Sequence, residues 1–396
     1  MIALEVSSLE PLGRVVTTPW AGSVTGLQVD SRKIDEGDLF VAVGDGADFV
    51  SHALARGAAA ALIPNDAVQA LGAIAGEVRA RSSARVVAVT GSTGKTSTKD
   101  ILFALCAPHR RTIANEGNYN TEIGVPLTLC RIEDDTEVCI AELAMRGVGQ
   151  IAWLASFTKP DIVIITNVGP VHLELVGTVE DVARAKAEAI EALPSGGIAI
   201  VPEEPLLEPY LTRSDIVVKR VSTTSALPFE TSYTAAHQLL NTRLAWAAAE
   251  SLGVPAPTTA LSVEFSKLRE EELPLPGGGL LLNDCYNANP MSMRAALLHL
   301  GERAGGRRRV AVLGEMAELG LEAGAYHAEV RDLLHELGVE HVIAVGELAR
   351  VYGGDWVATA TEAAARLQEL LKPGDVVLVK GSRSVGLEVV AENLSA

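Results

Sequence analysis

The sequence predicts an α/β protein of three domains, a small α/β unit followed by two larger units, each wound around a parallel sheet. Three observations predict this. The chain of 396 residues exceeds what one compact core organises, since domains cluster at about 100–150 residues. Short continuous apolar runs recur along it, each followed by a turn and a helical stretch, the pattern of strands buried on both faces. The pattern is interrupted by the polar, charged stretch at residues 79–83 and again by charge at residues 269–272, before Pro274 and Pro276.

Residues 1–83 hold the apolar runs Gly37-Asp38-Leu39-Phe40-Val41-Ala42-Val43 and Ala58-Ala59-Ala60-Ala61-Leu62-Ile63, separated by a helical stretch at 49–56. They form the small α/β N-terminal domain. Residues 84–270 alternate helices with strands expected at 85–90, 138–143, 161–166 and 198–202. Residues 271–396 repeat that logic, with strands expected at 280–283, 309–313, 341–345 and 375–380. This last domain reads as Rossmann-like in winding, yet no GxGxxG follows a strand, so a dinucleotide role has no support.

Composition excludes several classes. A hydrophobic content of 48% with 21% charged residues describes a globular protein, and 4% aromatics leaves the core to aliphatic side chains and alanine. No apolar run reaches the roughly 18 residues of a membrane span. Residues 1–13 lack a basic start and an apolar h-region. The four cysteines, Cys106, Cys130, Cys139 and Cys285, have no CxxC spacing. Unpaired thiols in a reducing cytoplasm are the simpler expectation. A formal charge of −17 argues against a nucleic-acid partner. It does not exclude a small phosphorylated ligand, whose site is built locally from backbone N–H groups, lysines and a divalent cation.

Such a site is present. The strand 85–90 runs into Gly91-Ser92-Thr93-Gly94-Lys95-Thr96, and Ser97 onward continues as a helix. Glycines let the loop turn its N–H groups toward an anion, and the helix N-terminus adds a favourable dipole. Lys95 can reach the β- and γ-phosphates and the Thr96 hydroxyl can ligate Mg²⁺. The spacing, GxxGKT, is shorter than the common GxxxxGK[ST]. The central domain is therefore expected to be a P-loop parallel-sheet ATPase domain binding ATP or GTP.

Ligands of open α/β sheets gather beyond the carboxyl ends of the strands. Glu142 ends the run Val138-Cys139-Ile140-Ala141, and Thr166-Asn167-Val168-Gly169-Pro170-Val171-His172 follows the strand 161–166. Glu142 and His172 are placed to bind metal beside the phosphates; singly, each could instead cap a helix or sit satisfied in a loop. Lys186, in Asp181-Val182-Ala183-Arg184-Ala185-Lys186-Ala187-Glu188, reads from spacing alone as part of a solvated, charged helix face.

Taken in order along nearly the whole chain, these motifs resemble the Mur ligases of peptidoglycan synthesis. Asp30-Ser31-Arg32-Lys33 and the run 37–42 look like the family's uridine-nucleotide domain, and residues 90–96 are similar to its ATP loop. Gly117-Asn118-Tyr119-Asn120-Thr121-Glu122-Ile123-Gly124-Val125-Pro126 resembles its GNxNNxIGVP segment. Asp284-Cys285-Tyr286-Asn287-Ala288-Asn289-Pro290 with Ser292-Met293 resembles the DxYNANPxSM run of the dipeptide-adding branch. Residues 313–320 and Val379-Lys380-Gly381-Ser382-Arg383 agree with the same branch.

The resemblance implies a cytoplasmic, monomeric, ADP-forming enzyme. It would couple UDP-N-acetylmuramoyl-tripeptide to D-alanyl-D-alanine through an acyl phosphate. It implies two Mg²⁺ ions held by Thr96, Glu142, His172 and a carbamylated Lys186. It implies ATP contacts from Gly91, Ser92, Thr93, Gly94, Lys95, Thr96, Ser97, Asn241, Arg269 and Asp284. Substrate contacts would come from Asp30, Ser31, Arg32, Asn118, Asn120, Tyr286, Asn287, Asn289, Lys380, Ser382 and Arg383. The chain departs from the pattern at Thr121 and Gln238, where asparagines are usual, at Leu268, where glycine is usual, and at Ser384-Val385, where Gly-Met is usual. Its loop 44–48 is also short. The alternatives are a sister ligase adding a single amino acid, a folylpolyglutamate-type enzyme, or a nucleotide-binding regulator that has lost the chemistry.

Overall fold

The computed structural model describes residues 1–18 and 22–395. Its described strands fall into four sheets. In the N-terminal unit, four strands lie in the order Gly13–Thr17, Ala60–Pro64, Asp38–Val41, Gly26–Gln28, the first pair antiparallel and the others parallel. A short antiparallel ribbon pairs Leu4–Glu5 with Ser23–Val24. Asp66 caps the helix Ala67–Arg81 by accepting from the Gln69 N–H at 3.0 Å. That helix carries Gly72 and Gly76 on the face toward Trp153 and Phe157, where a Cβ on Gly72 would stand 3.0 Å from the Trp153 ring. Leu71, Ile74 and Val78 consequently join one core with Leu154 and Phe157 of the central unit. The N-terminal and central units share a hydrophobic interior.

The central sheet is wholly parallel, in the order Val217–Val221, Ile198–Pro202, Ile162–Ile165, Arg85–Thr90, Val138–Glu142, Thr112–Ala114. Successive side chains of a strand point to opposite faces. Thus Val86 and Ala88 pack with Ile151, Leu154 and Val182, while Val87 and Val89 pack with Ile101, Leu102 and Leu244. Both faces are covered by helices, which is why the inner strands read as unbroken apolar runs. The two outermost strands carry no such signal: Thr112–Ala114 is three residues long, and Val217–Val221 is partly exposed and contains Lys219 and Arg220.

The C-terminal sheet is mixed, in the order Glu271–Leu275, Gly279–Asn283, Val376–Lys380, Arg309–Gly314, His341–Val345, Asp355–Val357. Its first strand is antiparallel to its neighbour and pairs Pro274 with Leu280, while the other strands run parallel. Proline lacks a ladder donor, so it sits on this edge strand. All four cysteines are free and buried, and burial pushes each thiol up to about 12. Among the described residues no helix is long and apolar enough to cross a membrane.

Candidate active site

The carboxyl ends of the central and C-terminal sheets border one cavity of about 620 Å³. On the central side the phosphate loop joins the strand Arg85–Thr90 to the helix Lys95–Cys106. Gly91 and Gly94 have φ of 149° and 73°, and a Cβ on them would stand 1.9 Å from the Thr166 hydroxyl and 2.6 Å from the Asn241 amide oxygen. Only glycine fits both the backbone and the space. The loop is braced from the next strand end. The Thr93 N–H donates to Asn167 Oδ1 at 2.9 Å, and the Ser92 hydroxyl donates to the Gly169 carbonyl at 3.1 Å. Lys95 curls back so that Nζ donates to the Gly91 carbonyl at 2.9 Å. Burial holds its pKa below the usual lysine range, against the opposing charge of Glu142.

Glu142 is fully buried at its strand end. Its Oε2 accepts from the Thr96 hydroxyl at 2.9 Å and its Oε1 from the Asn120 amide at 2.8 Å. Both donors are neutral. Among the described residues no Lys, Arg or His nitrogen lies within the 4.0 Å of an ion pair. A buried carboxylate with hydroxyl and amide partners but no cation, beside a phosphate loop, suits a hard divalent ion. No group of three or more His, Cys, Asp or Glu among the described residues converges as a metal cage, so further ligands would have to be hydroxyl, carbamate or phosphate oxygens.

The expectation of a solvated face at Lys186 fails. The helix Val179–Glu191 turns Val182, Ala183, Lys186, Ala189 and Ile190 inward, and Lys186 is 2% exposed. Glu188 serves elsewhere, accepting from the Gly149 and Ala152 N–H groups at 2.7 and 2.9 Å. Burial first, and the neighbouring Lys95 charge second, hold the Lys186 amine well below its ordinary pKa. No carboxylate of the described residues pairs with it. These surroundings therefore disfavour the charged form of the amine.

His172 has φ of 55° and its Nδ1 meets the Glu318 carboxylate, which belongs to the C-terminal unit. Burial lowers its pKa despite Glu318, and the charges of Lys95 and Lys186 act in the same direction as burial. Close approach of the two units also needs Gly169, where a Cβ would stand 1.9 Å from Met291 Sδ.

The C-terminal wall is a cationic and aromatic cluster. Lys380 Nζ bonds Asp284 Oδ2 at 2.5 Å and the Asn287 carbonyl at 3.1 Å, which shapes the loop carrying Tyr286, Asn287 and Asn289. The Arg269 guanidinium lies 4.0 Å from the Tyr286 ring centroid. These residues line the cavity with Ser92, Thr93, Gly94, Lys95, Ser97, Asn118, Asn120, Glu142, His172 and Asn241.

Other expected site residues lie elsewhere. Thr96 and Lys186 are buried behind the lining. Ser382 is 2% exposed and clamps two loops, accepting from the Ala317 N–H at 2.8 Å and donating to the Ala288 carbonyl at 3.3 Å. Arg383 pairs with Glu388 at 3.3 Å, 5.9 Å from the Tyr286 ring centroid. Asp30 and Arg32 pair with each other at 2.8 Å, and Ser31 meets His52 Nδ1 at 3.0 Å; among the described residues of the N-terminal unit, only the adjacent Val29 reaches the cavity. Sequence reasoning assigned no role to Arg146 or Glu270, which also line it, or to Asn115, whose Oδ1 accepts from the Glu142 N–H at 2.5 Å. No motif marks them.

Residues 89–243 match the Mur ligase middle domain, and residues 269–383 match the Mur ligase, glutamate ligase domain. The UDP-N-acetylmuramoyl-tripeptide–D-alanyl-D-alanine ligase of Escherichia coli (strain K12) is 32% identical over 432 aligned residues, which cover 94% of this chain and 94% of the relative. This chain belongs to the Mur ligases. The crystal structure of MurF from Acinetobacter baumannii superposes on this Mur ligase with a TM-score of 0.85 at 26% identity, covering 99% of this chain and 98% of the other. MurF ligase from Thermotoga maritima, solved in complex with ADP, gives 0.80 at 27% identity, covering 94% and 97%. Phosphate loop, buried Glu142 and buried Lys186 all fall within the matched middle domain of this Mur ligase.

Proposed function

We propose that this Mur ligase uses ATP to join UDP-N-acetylmuramoyl-tripeptide to D-alanyl-D-alanine, releasing ADP and phosphate. The observation that carries this reading is one cavity walled on one side by the phosphate loop and on the other by the Tyr286, Asn287 and Asn289 loop. The full-length similarity to a ligase of that name supports it.

Residues 84–270 activate the carboxylate, residues 271–396 close over it, and residues 1–83 take the uridine end, with Asp30, Ser31 and Arg32 beside Val29 at the cavity. A terminal carboxylate oxygen of the tripeptide attacks the γ-phosphorus and ADP leaves. The amine of the dipeptide then attacks the acyl carbon, loses a proton, and phosphate departs. Lys95, freed from the Gly91 carbonyl, follows the phosphate charge. Asn241 and Arg269 flank the nucleotide, and Asp284 and Lys380 hold the dipeptide-side loop in register. Closure keeps water from an acyl phosphate that hydrolyses readily.

The donor set fits Mg²⁺: Thr96, Glu142 and His172, with Lys186 carbamylated, would hold two ions, and these would neutralise charge on the transferring phosphoryl group. Carbamylation fits Lys186 chemically, because burial disfavours its ammonium form, and an amine that adds CO₂ and releases a proton becomes an anionic ligand. Mass analysis of the products made with D-alanyl-D-alanine and with single amino acids tests the acceptor. A UDP-muramoyl-pentapeptide formed only with the dipeptide is expected; a product with a single amino acid instead would move the chain to a sister activity.

A further inference from the structure

The segment that joins the central to the C-terminal sheet is held in an unusual conformation. Leu268 and Glu270, neither of them glycine, have φ of 62° and 54°, and Arg269 lies between them. L-residues avoid this region, so neighbouring contacts must enforce it. On the C-terminal side the Tyr286 N–H donates to the Leu268 carbonyl at 3.1 Å and the Leu268 N–H donates to Glu271 at 2.9 Å. On the central side the Ser266 N–H and hydroxyl both donate to Asp100 at 2.9 Å, and next to Arg269 the contacts run through the Glu270 carboxylate. Oε1 accepts from the Ser97 hydroxyl at 3.1 Å, and Oε2 accepts from the Gln238 amide at 2.6 Å and lies 3.5 Å from His237 Nε2. Burial would raise this carboxyl, but His237, Gln238 and Ser97 more than offset it and hold it down at about 2.

We propose that Glu270 is a positioning residue of the nucleotide site, a strap that fixes the interdomain segment to the phosphate-loop helix and so aims Arg269 into the cavity. The inference rests on the ATP-dependent reading above. Ser97 lies one residue beyond Thr96, and Gln238 lies one helical turn before Asn241, so the strap grips both central helices that bear nucleotide residues. Among the described residues Glu272, two residues on, pairs only with Arg303 and His299 within the C-terminal unit. It supplies a control in the strand that follows, Glu271–Leu275.

Steady-state kinetics and ATP binding by calorimetry on Glu270→Ala, Glu270→Gln and Glu272→Ala test this. Glu270→Ala should raise the KM and Kd for ATP about tenfold, with the KM of the uridine substrate within about twofold. Glu270→Gln should recover most of that. Its amide oxygen still accepts from Ser97, and its NH₂ can donate to Gln238 Oε1, a buried atom that has no partner among the described residues. Glu272→Ala should leave the ATP values unchanged. A wild-type ATP KM in Glu270→Ala, a Gln variant as impaired as Ala, or an equal effect of Glu272→Ala would overturn the strap. A wild-type protein that binds ATP but never releases phosphate would overturn the ligase reading instead, and the calorimetric arm would still judge Glu270.

Discussion

The Thr96 hydroxyl donates to Glu142 at 2.9 Å and so ties the first turn of the phosphate-loop helix to the end of the neighbouring strand. The contact fixes the spacing between the phosphate loop and the one fully buried carboxylate among the described residues of the cavity wall. Replacing Glu142 with Ala should lower kcat at least about a hundredfold, the order seen when one charge-stabilising group is removed from an active site. It should also raise the Mg²⁺ concentration needed for half activation. Unchanged Mg²⁺ dependence in a folded Glu142→Ala protein would exclude Glu142 as a metal ligand.

Lys186 is expected to carry CO₂. Carbamylation requires the unprotonated amine, which burial favours here by lowering the pKa. In ¹³C-bicarbonate, NMR should therefore show a carbamate signal in the wild type that fades on acidification and is missing from Lys186→Ala. Acetate or propionate should restore part of the activity of that variant. A signal of equal intensity in Lys186→Ala would place the carbamate elsewhere.

Gly94 has φ of 73°, and its Cβ position is filled by the Asn241 amide at 2.6 Å. Gly94→Ala should cost about 1–2 kcal/mol in backbone strain and displace Asn241. Thermal unfolding should show the lowered midpoint, and ATP affinity should fall with it. A midpoint and an affinity both at wild-type values would contradict this packing.

Acid stability gives a test of Glu270 that is independent of turnover. Its folded pKa of about 2 lies below the model-compound value of 4.5. The stabilisation is fully present above about pH 4.5 and is lost as pH falls through about 2. It amounts to at most roughly 3 kcal/mol. Glu270→Ala should therefore lose less stability than the wild type between those limits, measured by urea unfolding at each pH. Parallel losses in the two proteins would show that the carboxylate is not held down.

The inner strands were legible in the sequence because burial on both faces leaves a continuous apolar run, as in Val86-Val87-Ala88-Val89. The edge strands were not, since Val217–Val221 and Glu271–Leu275 carry charges toward solvent and the latter runs antiparallel. The phosphate loop was readable because its chemistry is local. Lys186 was misread from spacing because burial of a lysine depends on the sheet beneath it. Glu270 and the pairing of Glu318 with His172 join residues far apart in the chain, and contacts of that kind leave no periodicity to read.

The most direct measurement is phosphate release from ATP and Mg²⁺ in the presence of UDP-N-acetylmuramoyl-tripeptide, with and without D-alanyl-D-alanine. Sustained release that requires both substrates, and is lost in Lys95→Ala, is the predicted result. ATP binding without release under any pairing of substrates would contradict the account.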